Sequence, residues 1–97
     1  MDQQIVSRIK ALDEPIRAKG ATGLYIYGSR ARGDHRPDSD LDVLVEYDPG
    51  TKFSLIELVV IKHMLEDALG LEVHISTRNG LSRYFRDEVE AQAIRIL

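Results

Sequence analysis

Hydrophobic residues along this chain of 97 residues recur first at helical spacing and then in short strand-like runs. Near the N-terminus, four aliphatic residues stand three or four positions apart, which predicts an amphipathic first helix. Because Pro15 lacks a backbone N–H, we predict a break or restart of that helix near residue 13. The four aliphatic residues are Ile5, Ile9, Leu12 and Ile16.

Apolar runs and turn residues alternate along the rest of the chain. Residues 20–23 are predicted to be a break, and Asn79 with Gly80 a turn. Ser54 is placed to cap a helix, and Gly70 is placed to end it. The predicted elements are strands at 24–27 and 41–47, a helix at 55–69, a strand at 71–76 and a helix at 81–96. The length suits one domain, residues 1–97, with one modest core.

A glycine–serine pair follows the first predicted strand. Gly28 can turn without a Cβ clash, and Ser29 is a good N-cap for a short helix. The first N–H groups of a helix after such a turn can bind a phosphate, and the Ser29 hydroxyl adds a donor. Arg30, Arg32 and Arg36 add positive charge that suits phosphate oxygens, although solvated surface arginines would give the same pattern.

Two aspartates stand two positions apart at the start of the second predicted strand. Asp40 and Asp42 therefore share one face, while Leu41, Val43 and Val45 point to the other face and the core. Mg²⁺ binds through one or two carboxylates plus substrate phosphates, so the pair is a candidate metal site. An isolated pair of this kind is more often a solvated strand face.

The whole string, Gly28-Ser29 followed after ten residues by Asp40-Leu41-Asp42, resembles the signature of the polymerase-beta-type nucleotidyltransferases. Residues 28–33 and 39–45 are similar to the minimal nucleotidyltransferase subgroup. The resemblance runs from residue 24 to the C-terminus. It implies an α/β palm domain with a small mixed β-sheet and helices packed on it.

The resemblance also implies an activity and the residues that perform it. Mg-ATP would be the donor, and a nucleoside monophosphate would pass to an acceptor hydroxyl with release of pyrophosphate. Gly28 and Ser29 would hold the donor phosphates, with Arg30 and Arg32 beside them. Asp40 and Asp42 would hold the metal ions.

Members of this subgroup are often paired with a helical HEPN-type toxin, so the resemblance implies such a protein as partner. The transferase is then the antitoxin and adds AMP to a tyrosine of the toxin. A catalytically weakened antitoxin that neutralises its partner by binding alone is the alternative. Transfer to a small molecule or to RNA is a third possibility.

The sequence departs from the family pattern on the third predicted strand. The family places a third carboxylate at the position of His74, where it positions one metal ion and takes the acceptor's proton. A histidine can accept a proton, but it is a poor ligand for Mg²⁺ and brings no negative charge. Glu72 lies on the same strand face, and a local shift would bring it to the metal; otherwise it is a surface acid.

Composition narrows the possible acceptor and cellular location of this reaction. The net charge is −3, with 16 acidic and 13 basic residues, which argues against a broad nucleic-acid surface. There is no cysteine, no apolar signal segment and no run long enough to span a membrane, so a cytoplasmic location is expected. The chain has no room for an acceptor-binding domain, which favours an acceptor on another protein.

Two predicted helices carry more apolar surface than one buried face requires. The helix at 55–69 is apolar around much of its circumference, and a buried core helix or a partner surface would both explain this. The helix at 81–96 raises the same question. The residues concerned are Ile56, Val59, Val60, Ile61, Tyr84, Phe85, Val89, Ile94 and Ile96.

Overall fold

The computed structural model describes residues 2–97, with the side chain of Asn79 excepted. Five α-helices, four β-strands and a short 3-10 helix alternate along this part of the chain. In order they are α1 Gln3–Lys10, α2 Asp13–Ala18, β1 Ala21–Tyr27, α3 Ser29–Arg32, β2 Leu41–Tyr47, α4 Leu55–Leu69, β3 Val73–Thr77, the 3-10 helix Arg78–Gly80, α5 Arg83–Gln92 and β4 Ile94–Arg95.

The four strands form one mixed sheet in the order β3-β2-β1-β4. β1 pairs antiparallel with both β2 and β4, whereas β2 and β3 are parallel. A parallel pair needs a crossover, and α4 supplies it. Ser54 and Glu57 form a reciprocal capping box at its start, and Gly70 ends it with φ +65°. The predicted α/β fold with a small mixed sheet is therefore confirmed.

The core lies between one face of the sheet and helices α1, α2 and α4. Alternate residues of β1 and β2 point into it, as the period of two along a strand requires. Leu41, Val43 and Val45 are fully buried, as predicted from the spacing of the aspartates. The other fully buried large side chains are Ile9, Ile16, Leu24, Ile26, Ile61, Leu65 and Val73.

The opposite face of the sheet carries polar side chains together with aromatic ones. The register aligns Tyr27, Asp42 and His74 across β1, β2 and β3, and these side chains share a face because they are direct neighbours. Tyr25 and Leu44 form the next pair of neighbours on that face. One face of the sheet therefore packs against the core, and the other face carries polar and aromatic side chains.

The predicted break in the first helix is confirmed. α1 ends at Lys10 and α2 begins at Asp13. Pro15 occupies the third position of α2, where its missing N–H would have had no partner within the helix. The restart allows Ile16 to join Ile5 and Ile9 in the core.

The third predicted strand begins later than expected, since β3 is Val73–Thr77, and other predictions of local structure were wrong as well. Residues 20–23 are not a break throughout, because β1 already begins at Ala21 and pairs with Tyr47. The last predicted helix is also too long: α5 ends at Gln92, and β4 follows and pairs with Tyr25 and Ile26. A two-residue edge strand has too short a pattern to be separated from the end of a helix.

Part of the apolar surface of α4 and α5 remains exposed. Leu55 and Ile56 at the start of α4 are 73% and 74% exposed, while Ile61 is buried in the core. On α5, Tyr84 and Phe85 are 90% and 60% exposed. Over the described residues 2–97, no helix is both long enough and apolar enough to cross a membrane.

Candidate active site

The turn after β1 depends on a glycine. Gly28 has φ +76° and ψ −154°, a region that is essentially restricted to glycine. A Cβ at this position would stand 2.3 Å from Oδ2 of Asp42, because β1 and β2 pair Tyr27 with Asp42. The glycine therefore serves two purposes: it makes the turn and it lets the Asp42 carboxylate lie against the backbone.

The short helix α3 begins immediately after this turn. Gly28 is the N-cap of α3 and makes no side-chain capping bond. Ser29 is the first helical residue. The expectation that Ser29 is the N-cap is thus corrected by one residue. The carbonyl of Gly28 accepts from Arg32 N at 3.0 Å, and that of Ser29 accepts from Gly33 N at 2.9 Å. The turn therefore places Ser29 at the start of α3, directly after the glycine that lies against Asp42.

Two arginines of α3 have different surroundings. Arg30 is buried, at 5% exposure, and its Nε and Nη2 donate to the carbonyl of Ser39 at 3.0 and 2.8 Å. Nη2 also donates to the carbonyl of Pro37 at 3.2 Å. Arg30 therefore holds the loop that leads to Asp40.

Arg32 is the exposed arginine of α3. Its side chain donates to Asp34 and to Gln92, each at 3.1 Å. Burial raises the pKa of Asp42, and the positive charge of Arg32 opposes that increase. Of the two arginines on α3, Arg32 is therefore the one that a ligand from solvent could reach.

The two aspartates and His74 come together at the corner where β2 and β3 begin. Nε2 of His74 lies 3.1 Å from Oδ2 of Asp40, and Nδ1 lies 3.5 Å from Oδ1 of Asp42. The parallel register pairs Asp42 directly with His74. The structure therefore places His74 between both carboxylates.

Glu72, the residue directly before β3, also lies at this corner. The N–H of Leu41 donates to the carbonyl of Glu72 at 2.9 Å and so holds it beside Asp40. Its Oε1 lies 3.8 Å from Nε2 of His74. One ligand atom each from Asp40, Glu72 and His74 lie within 4.8 Å of one another, which makes them a candidate metal-binding group.

Burial and charge act on the acid–base groups of this corner. Burial raises the pKa of Asp42 and Asp40 adds to the increase by repulsion, while His74 and Arg32 oppose it. Burial also raises the pKa of Tyr27, helped by the charge of Asp42 and opposed by a hydrogen bond with Ser76. In the absence of a bound cation, ionised Asp42 is thus less favourable than an aspartate in water.

A cavity of about 190 Å³ lies on the same face of the sheet as Asp42 and His74. It is lined by Tyr25, Leu44, Arg78, Glu90 and Ala93. Arg78 donates to Glu90 at 2.6 Å and so links the 3-10 helix to α5. Sequence reasoning missed this cavity, because its lining comes from four separate elements without a shared motif.

The hydroxyl of Tyr25 in this cavity is already in use. It donates to Oε1 of Glu46 at 2.8 Å, and the guanidinium of Arg95 lies 5.5 Å from the ring centre. The hydrogen bond with Glu46, together with burial, raises the pKa of Tyr25. The phenol is therefore held protonated and oriented toward Glu46 rather than toward the carboxylate corner.

The mixed sheet carries a glycine turn and paired carboxylates at one corner, and groups of these types suit phosphates and metal ions. The sequence model of the family described as Nucleotidyltransferase domain matches residues 6–96. The chain belongs to this nucleotidyltransferase domain family.

Individual relatives agree with this assignment. A candidate protein adenylyltransferase of Methanocaldococcus jannaschii is 37% identical over 93 residues, which are 95% of this chain and 98% of the relative. A solved structure of a candidate minimal nucleotidyltransferase is 35% identical, with a TM-score of 0.72 over 97% of this chain and 95% of that one. The expected membership of the minimal nucleotidyltransferases is thereby confirmed.

A more distant structure shares the fold. A chain of a toxin–antitoxin crystallised with AMP-PNP has a TM-score of 0.75 at 20% identity, over 95% of this chain and 72% of that chain. At this level of identity the similarity concerns the arrangement of the sheet and helices alone.

Proposed function

We propose that this nucleotidyltransferase transfers AMP from ATP to a hydroxyl of a partner protein and thereby acts as an antitoxin. The observation that carries the proposal is the corner formed by Gly28, Asp40 and Asp42. The turn places the backbone so close to the carboxylate of Asp42 that a Cβ at Gly28 would lie 2.3 Å from its Oδ2. Such packing suits a site where a triphosphate and its cation meet.

The donor would bind at the turn and the first residues of α3. The backbone at Gly28 and the hydroxyl of Ser29 are proposed to contact the triphosphate, with Arg32 as the cationic side chain. Arg30 supports this part of the site from behind, since it holds the loop that carries Asp40. We therefore propose that Arg30, one of the predicted nucleotide-binding residues, positions the loop that carries Asp40.

Asp40 and Asp42 would hold Mg²⁺ with the donor phosphates. Two carboxylates on one strand face match the preference of Mg²⁺ for oxygen ligands, and a bound cation would offset the burial cost of ionised Asp42. When bound, Mg²⁺ neutralises charge on the phosphates. Residues of the chain would orient the donor and hold the proton released during transfer.

The proposed reaction is an in-line displacement at the α-phosphorus of ATP. The acceptor oxygen forms a bond to this phosphorus, while the bond from phosphorus to the oxygen that bridges to the β-phosphate breaks. Pyrophosphate leaves, and the hydroxyl proton passes to the carboxylate of Asp42, whose Oδ1 faces Nδ1 of His74 at 3.5 Å. Positioning and charge neutralisation supply the rate enhancement.

The acceptor is proposed to be a tyrosine of a helical, HEPN-type toxin. The relative from Methanocaldococcus jannaschii carries the name of a protein adenylyltransferase, and the more distant structure belongs to a toxin–antitoxin. The exposed apolar residues of α4 and α5 offer surface for a protein partner. The net charge of −3 weighs against RNA as the acceptor.

An antitoxin that acts by binding alone is the second candidate. Its supporting observation is that His74, which brings no negative charge, stands beside Asp40 and Asp42 at the position where the family has a third carboxylate. Such a protein would neutralise its partner without consuming ATP.

The deciding experiment combines donor binding with label transfer. Calorimetric titration with Mg-ATP compares the native chain with Asp40→Asn/Asp42→Asn, and with Asp38→Asn as an exposed acidic control in the same loop. Incubation of a HEPN-type partner with [α-³²P]ATP or [γ-³²P]ATP then identifies the group transferred. We expect label from the α-phosphate on a partner tyrosine, lost only in the double variant.

The other outcomes separate the two candidates. Neutralisation of the partner that survives in the double variant, with no transfer by the native chain, would establish binding alone. Label from the γ-phosphate would exclude nucleotidyl transfer. Full transfer by Asp42→Asn would refute the proposed role of the carboxylate pair.

A further inference from the structure

The ligand atoms at the carboxylate corner include one nitrogen. Nε2 of His74 lies 3.1 Å from Oδ2 of Asp40 and 3.8 Å from Oε1 of Glu72. All three ligand atoms fit within 4.8 Å of one another. The group therefore combines two carboxylate oxygens with one imidazole nitrogen.

The separations suit a single metal ion. Ligand atoms about 2.1 Å from an ion stand roughly 3.0 Å apart at right angles and roughly 3.4 Å apart in a tetrahedron. The distances from Nε2 to Asp40 and to Glu72 lie on either side of the tetrahedral value. Small side-chain rotations would bring all three atoms to bonding distance.

The second nitrogen of His74 supports this orientation of the ring. Nδ1 faces Oδ1 of Asp42 at 3.5 Å, on the side of the ring away from Asp40 and Glu72. A histidine that binds a metal through one nitrogen usually donates the other N–H to a carboxylate or carbonyl. Asp42 is placed to accept that bond, while its Oδ2 faces the turn at Gly28.

We infer that Asp40, Glu72 and His74 bind a divalent first-row transition ion in preference to Mg²⁺. Imidazole is a good ligand for such ions, whereas Mg²⁺ selects oxygen ligands in near-octahedral geometry. A third carboxylate at the position of His74 would favour Mg²⁺. The imidazole instead shifts the preference of this corner toward transition-metal ions. Glu72 supplies the second carboxylate, so the loss of an acid at position 74 is partly replaced by a neighbour.

The inference rests on the proposed function, since that function makes this corner a metal site. Its test is therefore run without nucleotide or acceptor, so that metal preference and AMP transfer are measured separately. The native chain is titrated calorimetrically with Mn²⁺ and with Mg²⁺. Electron spin echo envelope modulation of bound Mn²⁺ then reports whether a nitrogen is a ligand.

Three variants assign the ligands. Glu72→Gln and His74→Asn are expected to weaken Mn²⁺ binding by at least roughly tenfold to hundredfold. Loss of a residue that only supports a metal ligand typically weakens metal binding by this factor. His74→Asp should reverse the preference toward Mg²⁺. His63→Asn, at an exposed histidine of α4, is the matched control and should leave binding unchanged.

A nitrogen signal in the native chain that disappears in His74→Asn would support the inference. Equal or tighter binding of Mg²⁺ by the native chain would overturn it. Loss of Mn²⁺ binding in His63→Asn to the same degree would overturn it as well, because this would indicate unspecific binding to surface histidines. Metal binding of the expected kind without AMP transfer would refute only the proposed function.

Discussion

Replacement of Gly28 by alanine tests the geometry on which the site depends. The backbone at Gly28 lies in a region that costs another residue about 1–3 kcal/mol. The added Cβ would stand 2.3 Å from Oδ2 of Asp42, so the carboxylate must withdraw by at least 1.1 Å to reach an ordinary contact of 3.4 Å. An off-rotamer aspartate costs about 0.5–1.5 kcal/mol.

The two contributions predict a loss of about 2–4 kcal/mol in the free energy of unfolding for Gly28→Ala. Domains of this size have a free energy of unfolding of about 5–15 kcal/mol, so the variant should remain folded. Urea unfolding measures the loss, and calorimetric titration with Mg-ATP measures the donor site. We expect weakened donor binding, because Asp42 no longer lies against the turn.

Gly33→Ala is the matched control. Gly33 also has a positive φ, +83°, but a Cβ there would meet no atom within 4 Å. Its cost should be the backbone contribution alone, about 1–2 kcal/mol, without an effect on Mg-ATP. Gly28→Ala should also cost about 1 kcal/mol less in an Asp42→Ala background, since the clashing oxygen is gone.

Equal costs of Gly28→Ala and Gly33→Ala, together with an unchanged cost of Gly28→Ala in the Asp42→Ala background, would contradict this prediction. In that case the close approach between Gly28 and Asp42 would have no energetic meaning. Donor binding that is undiminished in a folded Gly28→Ala protein would separately contradict the proposed role of the turn.

Three further predictions concern the charge of Asp42, the loop before it and the start of α4. Because burial raises the folded pKa of Asp42, its ionisation lowers stability as pH rises through the unfolded and folded pKa values. In metal-free urea unfolding, Asp42→Asn should therefore gain stability relative to the native chain from acidic to neutral pH; a constant difference would contradict this. Arg30→Lys replaces the planar guanidinium fork that bonds the carbonyls of Ser39 and Pro37, and should lose about 2 kcal/mol in urea unfolding, against at most about 0.5 kcal/mol for exposed Arg36→Lys. Equal losses would exclude the positioning role of Arg30. Ser54→Ala removes the capping box of α4 and should lower the thermal midpoint by an amount equivalent to about 1 kcal/mol, and an unchanged midpoint would count against the cap.

Local chemistry made several elements predictable from the sequence. The spacing of Leu41, Val43 and Val45 predicted a strand with one buried face, and the capping residues predicted the bounds of α4. The break near Pro15 follows from its missing N–H. Such signals involve residues within a few positions of one another, so they need no tertiary contact to act.

Membership of the family could also be predicted from the sequence. The spacing of Gly28, Ser29, Asp40 and Asp42 constrains one turn, one loop and one strand, and the matching family covers residues 6–96. The structure explains this spacing, because β1 and β2 pair Tyr27 with Asp42 and so bring the turn against the carboxylate.

Only the tertiary structure decided the surroundings of these residues. β4 depends on pairing with β1, and two residues carry too little pattern to predict an edge strand. Arg30 and Arg32 are two positions apart, yet one is buried against loop carbonyls and the other is exposed. The parallel pairing of β2 with β3 brings Glu72 and His74 to Asp40 across more than 30 residues of chain. The sequence alone therefore determined which groups can act; strand pairing determined which of them meet, because contacts between distant residues exist only once the sheet has formed.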